Sequence, residues 1–122
     1  MARIVVVDDS KLMRNLLRTI LEQAGHEVET WEDVTAGEVA GRITAANPDL
    51  LVTDFQMPGC NGLTLVRMAR KARPDLPVVL LTATHDPAVT DALKSQPDSR
   101  LLHKPLREED LLEAVVNLLP QS

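Results

Sequence analysis

The sequence predicts an open, parallel α/β sheet with helices on both faces, and three observations carry that prediction. Short β-branched runs alternate with longer stretches of helical period, five times over, which is the pattern of a parallel sheet built from βα units. A length of 122 residues suits one domain around one core. Four of the apolar runs end on a polar residue: Ile4–Val7 on Asp8 and Asp9, Leu50–Thr53 on Asp54, Val78–Leu81 on Thr82, and Leu101–His103 on Lys104. In such sheets the carboxyl ends of the strands lie along one edge, where ligands bind.

Residues 3–7 read as a buried strand. Ser10 is suited to cap the helix that follows. Leu12, Met13, Leu16, Leu17, Ile20, Leu21 and Ala24 recur there at helical spacing as one wide apolar stripe, and Gly25 supplies a stop. A short second strand spans 27–31, with Val28 between Glu27 and Glu29 in the manner of a half-exposed edge. A helix over 33–46 turns Val34, Val39 and Ile43 inward, though Gly37 and Gly41 each weaken it by about 1 kcal/mol relative to Ala. Asn47-Pro48-Asp49 breaks it. A third strand covers 50–53, a loop 55–62, and a helix 63–72 with Leu65, Val66, Ala69 and Ala72 inward. Pro74-Asp75-Leu76-Pro77 turns the chain into a fourth strand, 78–81. A short helix lies around 87–95, a fifth strand at 100–103 and a last helix at 107–119, with Glu108, Glu109 and Asp110 where the helix dipole favours negative charge. Crossovers of this kind are right-handed. Residues 1–122 are expected to form a single domain, with no linker or internal repeat and no room for an output domain after the last helix.

Composition narrows the function. A formal charge of −5 argues against a nucleic-acid-binding face. No apolar run approaches the roughly 20 residues of a membrane span, and the N-terminus is too short for a signal peptide. A single cysteine, Cys60, excludes an internal disulfide. These features suit a cytoplasmic protein.

The strand-end residues then become the candidate site. Two like charges about 5 Å apart repel by roughly 3 kcal/mol at an effective dielectric near 20, so three clustered carboxylates call for a cation. Magnesium fits, because it binds a few carboxylates, keeps waters and accepts phosphate oxygens. Lys104 in the same cleft would meet a phosphate as a point charge, and Thr82 would donate a hydrogen bond to it. Taken singly, each residue has a plainer reading: Asp8-Asp9 as a helix cap, Thr82 as a strand threonine, Lys104 as a solvated lysine. Lys104-Pro105 is also a pair that fixes a turn and can adopt a cis bond.

The combination Asp8-Asp9, Asp54-Phe55-Gln56-Met57-Pro58-Gly59-Cys60-Asn61-Gly62, Thr82-Ala83 and Lys104-Pro105 closely resembles the receiver domains of two-component response regulators, in order and over essentially the whole chain. The resemblance implies a flavodoxin-like fold of strand order 2-1-3-4-5 and magnesium-dependent phosphoryl transfer from a histidine kinase or phosphotransfer protein to an aspartate. It implies Asp54 as phosphoacceptor, Asp9 as a direct magnesium ligand, Asp8 as a ligand mainly through water, and the main-chain carbonyl of Gln56 as a further ligand. Thr82 and Lys104 would contact the phosphoryl oxygens. The domain would catalyse only its own phosphorylation and dephosphorylation, and would signal to an output protein, with the face formed by the fourth helix, fifth strand and fifth helix as the expected contact.

Some positions depart from the family pattern. Leu101 stands where an aromatic switch residue is usual, three positions before the lysine. Gln96-Pro97-Asp98-Ser99 replaces the common Gly-Ala pair. Gln56 and Thr84 occupy the positions that flank the path of attacking water. Cys60 reads as a bystander thiol. His85 and His103 flank the cleft but suit hard magnesium poorly. Trp31 is expected to pack partly against the second helix. The last helix carries more apolar residues than one stripe requires, so it is either fully buried or offers a partner face. Competing readings are a receiver cut from a hybrid kinase or larger regulator, a degenerate receiver acting as a binding module, and a flavodoxin-like phosphatase. The phosphatase lacks both a general acid near Asp54 and an insertion long enough for a cap.

Overall fold

The structure is a computed structural model that describes residues 2–56 and 60–119. Met57, Pro58 and Gly59 of the resemblance motif lie outside the described residues. The elements run β1 (Arg3–Val7), α1 (Lys11–Gln23), β2 (Glu27–Trp31), α2 (Ala36–Ala46), β3 (Leu50–Asp54), α3 (Gly62–Ala72), β4 (Val78–Thr82), α4 (Pro87–Lys94), β5 (Ser99–His103) and α5 (Glu108–Leu118). The strands form one parallel sheet in the order β2-β1-β3-β4-β5, as the resemblance implied.

The central strands β3 and β4 are buried along their whole length, because helices cover both faces of the sheet. Alternation along each strand sorts the side chains into two cores. Ile4, Val6, Leu50, Val52, Val79 and Leu81 pack with Leu17 and Leu21 of α1 and Leu111 and Val115 of α5. Val5, Val7, Leu51, Val78 and Leu80 pack on the other face with Val39 and Ile43 of α2, Leu65, Val66 and Ala69 of α3, and Leu93 of α4. The edge strand β2 is half-exposed, as its flanking glutamates suggest. Parallel register brings Val7 opposite Thr53, Asp54 opposite Leu81, and Thr82 opposite His103, so the carboxyl ends of four strands sit level.

The helix starts follow local chemistry. Ser10 Oγ accepts the N–H of Met13, Asn61 Oδ1 that of Thr64, and Asp86 Oδ1 that of Ala88. Gly25 ends α1 with φ at 96°, a conformation that favours glycine. Arg70 of α3 reaches the carbonyls of Leu76 and Pro97, at 3.0 and 2.6 Å, and fastens the Gln96–Ser99 turn. Burial lowers its pKa from the ordinary arginine value.

Three expectations of burial change. Leu12 and Leu16 are 78% and 45% exposed, because the apolar stripe of α1 is wider than the sheet face it covers. Helix α5 buries Leu111, Ala114 and Val115 but leaves Val116 on the outside, so it is not fully buried. Trp31 is enclosed rather than partly packed: only 3% of it is exposed, Arg42 of α2 lies 4.2 Å over its ring, and its Nε1–H donates to Glu29. Helix α2 begins at Ala36 rather than at 33, behind Val34, which is buried ahead of it.

Gly62 shows where packing dictates a small residue. A Cβ there would lie 2.9 Å from Phe55 Cα and 3.3 Å from the Asp54 carbonyl oxygen, whereas a Cβ on Gly41 meets nothing within 4 Å. In urea denaturation, Gly62→Ala is expected to cost about 1–3 kcal/mol through overpacking. Gly41→Ala should stabilise α2 by up to about 1 kcal/mol.

Candidate functional site

The site is built where β1, β3, β4 and β5 end. Asp8 follows β1, and its N–H donates to the Trp31 carbonyl, continuing the pairing with β2 by one residue. Asp8 is 1% exposed. Its Oδ1 accepts the N–H of Ser10 at 2.8 Å, whereas Oδ2 is buried and has no hydrogen-bond partner among the described residues. Asp9, in the bend that follows, is exposed. Asp54 closes β3 and is buried. The three aspartates each bring a carboxylate oxygen within 4.8 Å of the others.

Lys104 completes the cluster. Its main-chain N–H donates to the Thr82 carbonyl at 2.8 Å, and the Lys104–Pro105 peptide is cis. From there its Nζ lies 3.2 Å from Asp54 Oδ2 and 3.9 Å from Asp8 Oδ2. Asp54 Oδ1 accepts a long 3.4 Å bond from the N–H of Gln56, whose side chain is exposed. Thr82 is fully buried at the end of β4. Its Oγ1 accepts the N–H of Thr84, the Thr84 hydroxyl accepts the N–H of Asp86, and Asp86 caps α4. Thr82 thus heads a relay of hydrogen bonds along the loop to α4.

Burial raises the Asp8 pKa above the usual carboxylate value; the Ser10 N–H and Lys104 pull it down, and Asp54 and Asp9 add to the rise. The donor set fits a hard divalent cation. Three ionised carboxylates less one ammonium leave two negative charges, the donors are all oxygens, and one buried carboxylate oxygen lacks a hydrogen-bond partner.

Other sequence candidates fall around this centre. His85 and His103 stand apart from the aspartate cluster and stack on each other with centroids 4.8 Å apart, joining the loop after Thr82 to β5. Leu101 and Phe55 are both partly buried against the core on the α2, α3 and α4 side of the sheet. Cys60 is buried and burial pushes its thiol pKa up, the opposite of what an activated thiol needs. One residue escaped the sequence reading: Arg14 of α1, whose guanidinium donates to the Asp8 carbonyl at 2.8 Å.

A raised folded-state pKa means that Asp8 costs stability once it ionises, and that the cost fades as pH falls through its folded value. Without metal at neutral pH, Asp8→Asn should therefore melt higher than the parent protein. The gap should narrow as pH falls. Thermal melts across a pH series check this, and a parent protein that is the more stable at neutral pH would contradict it.

Comparison with known proteins agrees with this geometry. Residues 4–116 match the family described as the response regulator receiver domain. The chain is 30% identical over 118 residues to the cyclic di-GMP phosphodiesterase response regulator RpfG of Xanthomonas campestris, covering 95% of this chain but 31% of that protein. It therefore spans under a third of that relative's length. Among solved structures, chemotaxis protein CheY4 of Vibrio cholerae superposes with a TM-score of 0.85 at 30% identity, covering 98% of this chain and 99% of that one. Response regulator TrrA of Thermotoga maritima, solved in complex with Mg2+ and BeF, gives 0.82 at 33% identity, with 98% and 100% covered. With the strand order and the strand-end aspartates already in place, these likenesses put the chain in the family of response regulator receiver domains.

Proposed function

We propose that this receiver takes a phosphoryl group on Asp54 from a histidine kinase or phosphotransfer protein, with magnesium held by Asp8, Asp9, Asp54 and the main-chain carbonyl of Gln56. The observation that carries the reading is the Lys104 ammonium, 3.2 Å from Asp54 and 3.9 Å from Asp8 inside the aspartate cluster. The TrrA relative, solved with Mg2+ and BeF, supports it.

Phosphoryl transfer asks the protein for positioning and charge neutralisation more than for covalent help. Asp54 supplies the nucleophilic oxygen, and its P–O bond forms as the bond to the donor breaks. Lys104 holds one Asp54 oxygen and meets the negative charge of the incoming group. When bound, magnesium supplies further positive charge against the carboxylates and phosphoryl oxygens. Burial of Asp8 and Asp54 keeps the dielectric low, so each of these attractions is stronger than it would be in water.

The signal follows from Thr82. Its Oγ1 accepts the Thr84 N–H. The Thr82 O–H is a donor for a phosphoryl oxygen on Asp54, and a threonine that moves toward that oxygen draws the following loop with it through its bond from the Thr84 N–H. Phosphorylation thereby shifts the domain between two states by as much as the phosphoryl group prefers one. The reaction is confined to the domain's own aspartate, and residues 1–122 act as one receiver unit in the cytoplasm. The output is contact with another protein, and the face of α4, β5 and α5 is the proposed place. Arg100, Asp110 and Glu113 line one shallow cleft there. The net charge of −5 speaks against nucleic acid as the partner, and no described helix is long and apolar enough to cross a membrane.

Intact-protein mass spectrometry after incubation with acetyl phosphate tests the reading. A magnesium-dependent phosphoryl adduct is expected on the parent protein and not on Asp54→Asn; an adduct on both would move the acceptor elsewhere. Lys104→Ala should still bind magnesium but lose the phosphorylation-dependent shift of the Ala83–Asp86 amides in NMR spectra. A wild-type shift in that variant would remove Lys104 from the switch.

A further inference from the structure

We propose that Arg14 is a positioning residue for the divalent cation: it holds the bend between β1 and α1 that lets two consecutive aspartates converge on one point. The inference rests on the magnesium reading above and extends it to a residue outside the ligand set.

Neighbouring side chains in a strand point to opposite faces of the sheet. Asp8 and Asp9 are neighbours, yet each places a carboxylate oxygen within 4.8 Å of the other and of Asp54. The chain achieves this by leaving strand geometry at Asp8 and bending at Asp9. The peptide group that joins the two residues sets their relative direction, and its carbonyl belongs to Asp8. Arg14 Nη1 donates to that carbonyl at 2.8 Å.

The rest of the bend is tied as well. Asp8 N–H donates to Trp31, Ser10 N–H to Asp8 Oδ1, Met13 N–H to Ser10 Oγ, and Arg14 N–H to the Ser10 carbonyl. Of these groups, only the Asp8 carbonyl depends on a side chain that reaches back from the helix. Arg14 makes no ion pair among the described residues, so its guanidinium is committed to a main-chain oxygen rather than to a carboxylate. A rigid, planar, many-donor group suits that duty better than a flexible ammonium.

Groups that orient metal ligands without touching the metal typically change affinity by about 10–100-fold when removed. The test is a magnesium titration, followed by the Asp9 and Ser10 amide shifts, of the parent protein, Arg14→Met and Arg14→Lys. Arg14→Met keeps the apolar stem and loses the donors; it should bind magnesium about tenfold more weakly. Arg14→Lys, which keeps one mobile donor, should lose less, and it carries the test if the methionine variant does not fold. At saturating magnesium, adduct formation from acetyl phosphate should return to the parent rate in both, separating metal positioning from a role in the transfer. Affinity within twofold of the parent would overturn the inference. So would a loss that vanishes at high salt, which would mark a charge effect, or a rate that stays low at saturation. A parent protein that binds no magnesium would instead overturn the metal reading, and this inference with it.

Discussion

Asp8, Asp9 and Asp54 bring like charges within 4.8 Å of one another at the edge of a buried sheet, and much of the surrounding structure answers to that repulsion. Water would relieve it, but Asp8 and Asp54 are buried and cannot use water fully. Lys104 relieves part of it, while burial first, and then the neighbouring Asp54 and Asp9 charges, still raise the pKa of Asp8. A site with this residue of unfavourable energy is poorly satisfied by itself and well satisfied by added positive charge. Proteins keep such unfavourable clusters where binding supplies the missing partner.

The parallel sheet makes the cluster possible with very little sequence. Four strands in register end level, so four short stretches of chain, far apart in sequence, meet without a dedicated loop to join them. Two cores on opposite faces fix the heights of the strands. Close packing then extends to the rim. Gly62 lies against the backbone of Asp54 and Phe55, and the Gly62 N–H donates to the Phe55 carbonyl at 2.8 Å. The Asp54 carboxylate is therefore set on a backbone that cannot easily drift.

Most of this was legible in the sequence, for a physical reason. Buried parallel strands need continuous apolar runs, and a polar residue closing such a run must sit at the sheet's edge; Asp8, Asp54, Thr82 and Lys104 all do so. The helix-breaking signals at Gly25 and at Asn47-Pro48 are local and survive folding unchanged. What the sequence hid depends on contacts across elements. The stripe of α1 could not reveal that Leu12 and Leu16 overhang the sheet, because its width is a property of the helix and its cover a property of the sheet. Trp31 looked half-exposed because nothing local places Arg42 over its ring. Arg14 sits beside an apolar stripe, where an arginine ordinarily points to solvent; its reach back to Asp8 shows only in three dimensions. The one faint signal was its position four residues after the capping Ser10, within reach of the turn that precedes the helix.

These bonds divide the site into two halves of unlike stiffness. On the β1 side, Asp8 is held through its N–H, its carbonyl and one carboxylate oxygen, by partners on β2, on α1 and at the Ser10 cap that precedes α1. On the β4 side, the loop from Thr82 to α4 is held by a file of single bonds, each donated by a backbone N–H to a side-chain oxygen two residues earlier, and by one stacked imidazole pair. The first bond of that file ends on the Thr82 hydroxyl, the group proposed to donate to a phosphoryl oxygen. A phosphoryl charge on Asp54, as proposed above, would therefore meet a fixed wall on one side and a more loosely held chain on the other. Its effect would be directed toward α4 and β5 by this difference in tethering. Residue 101 is a leucine, and a signal so directed would need no aromatic side chain there: it would follow from which half of the site can give way.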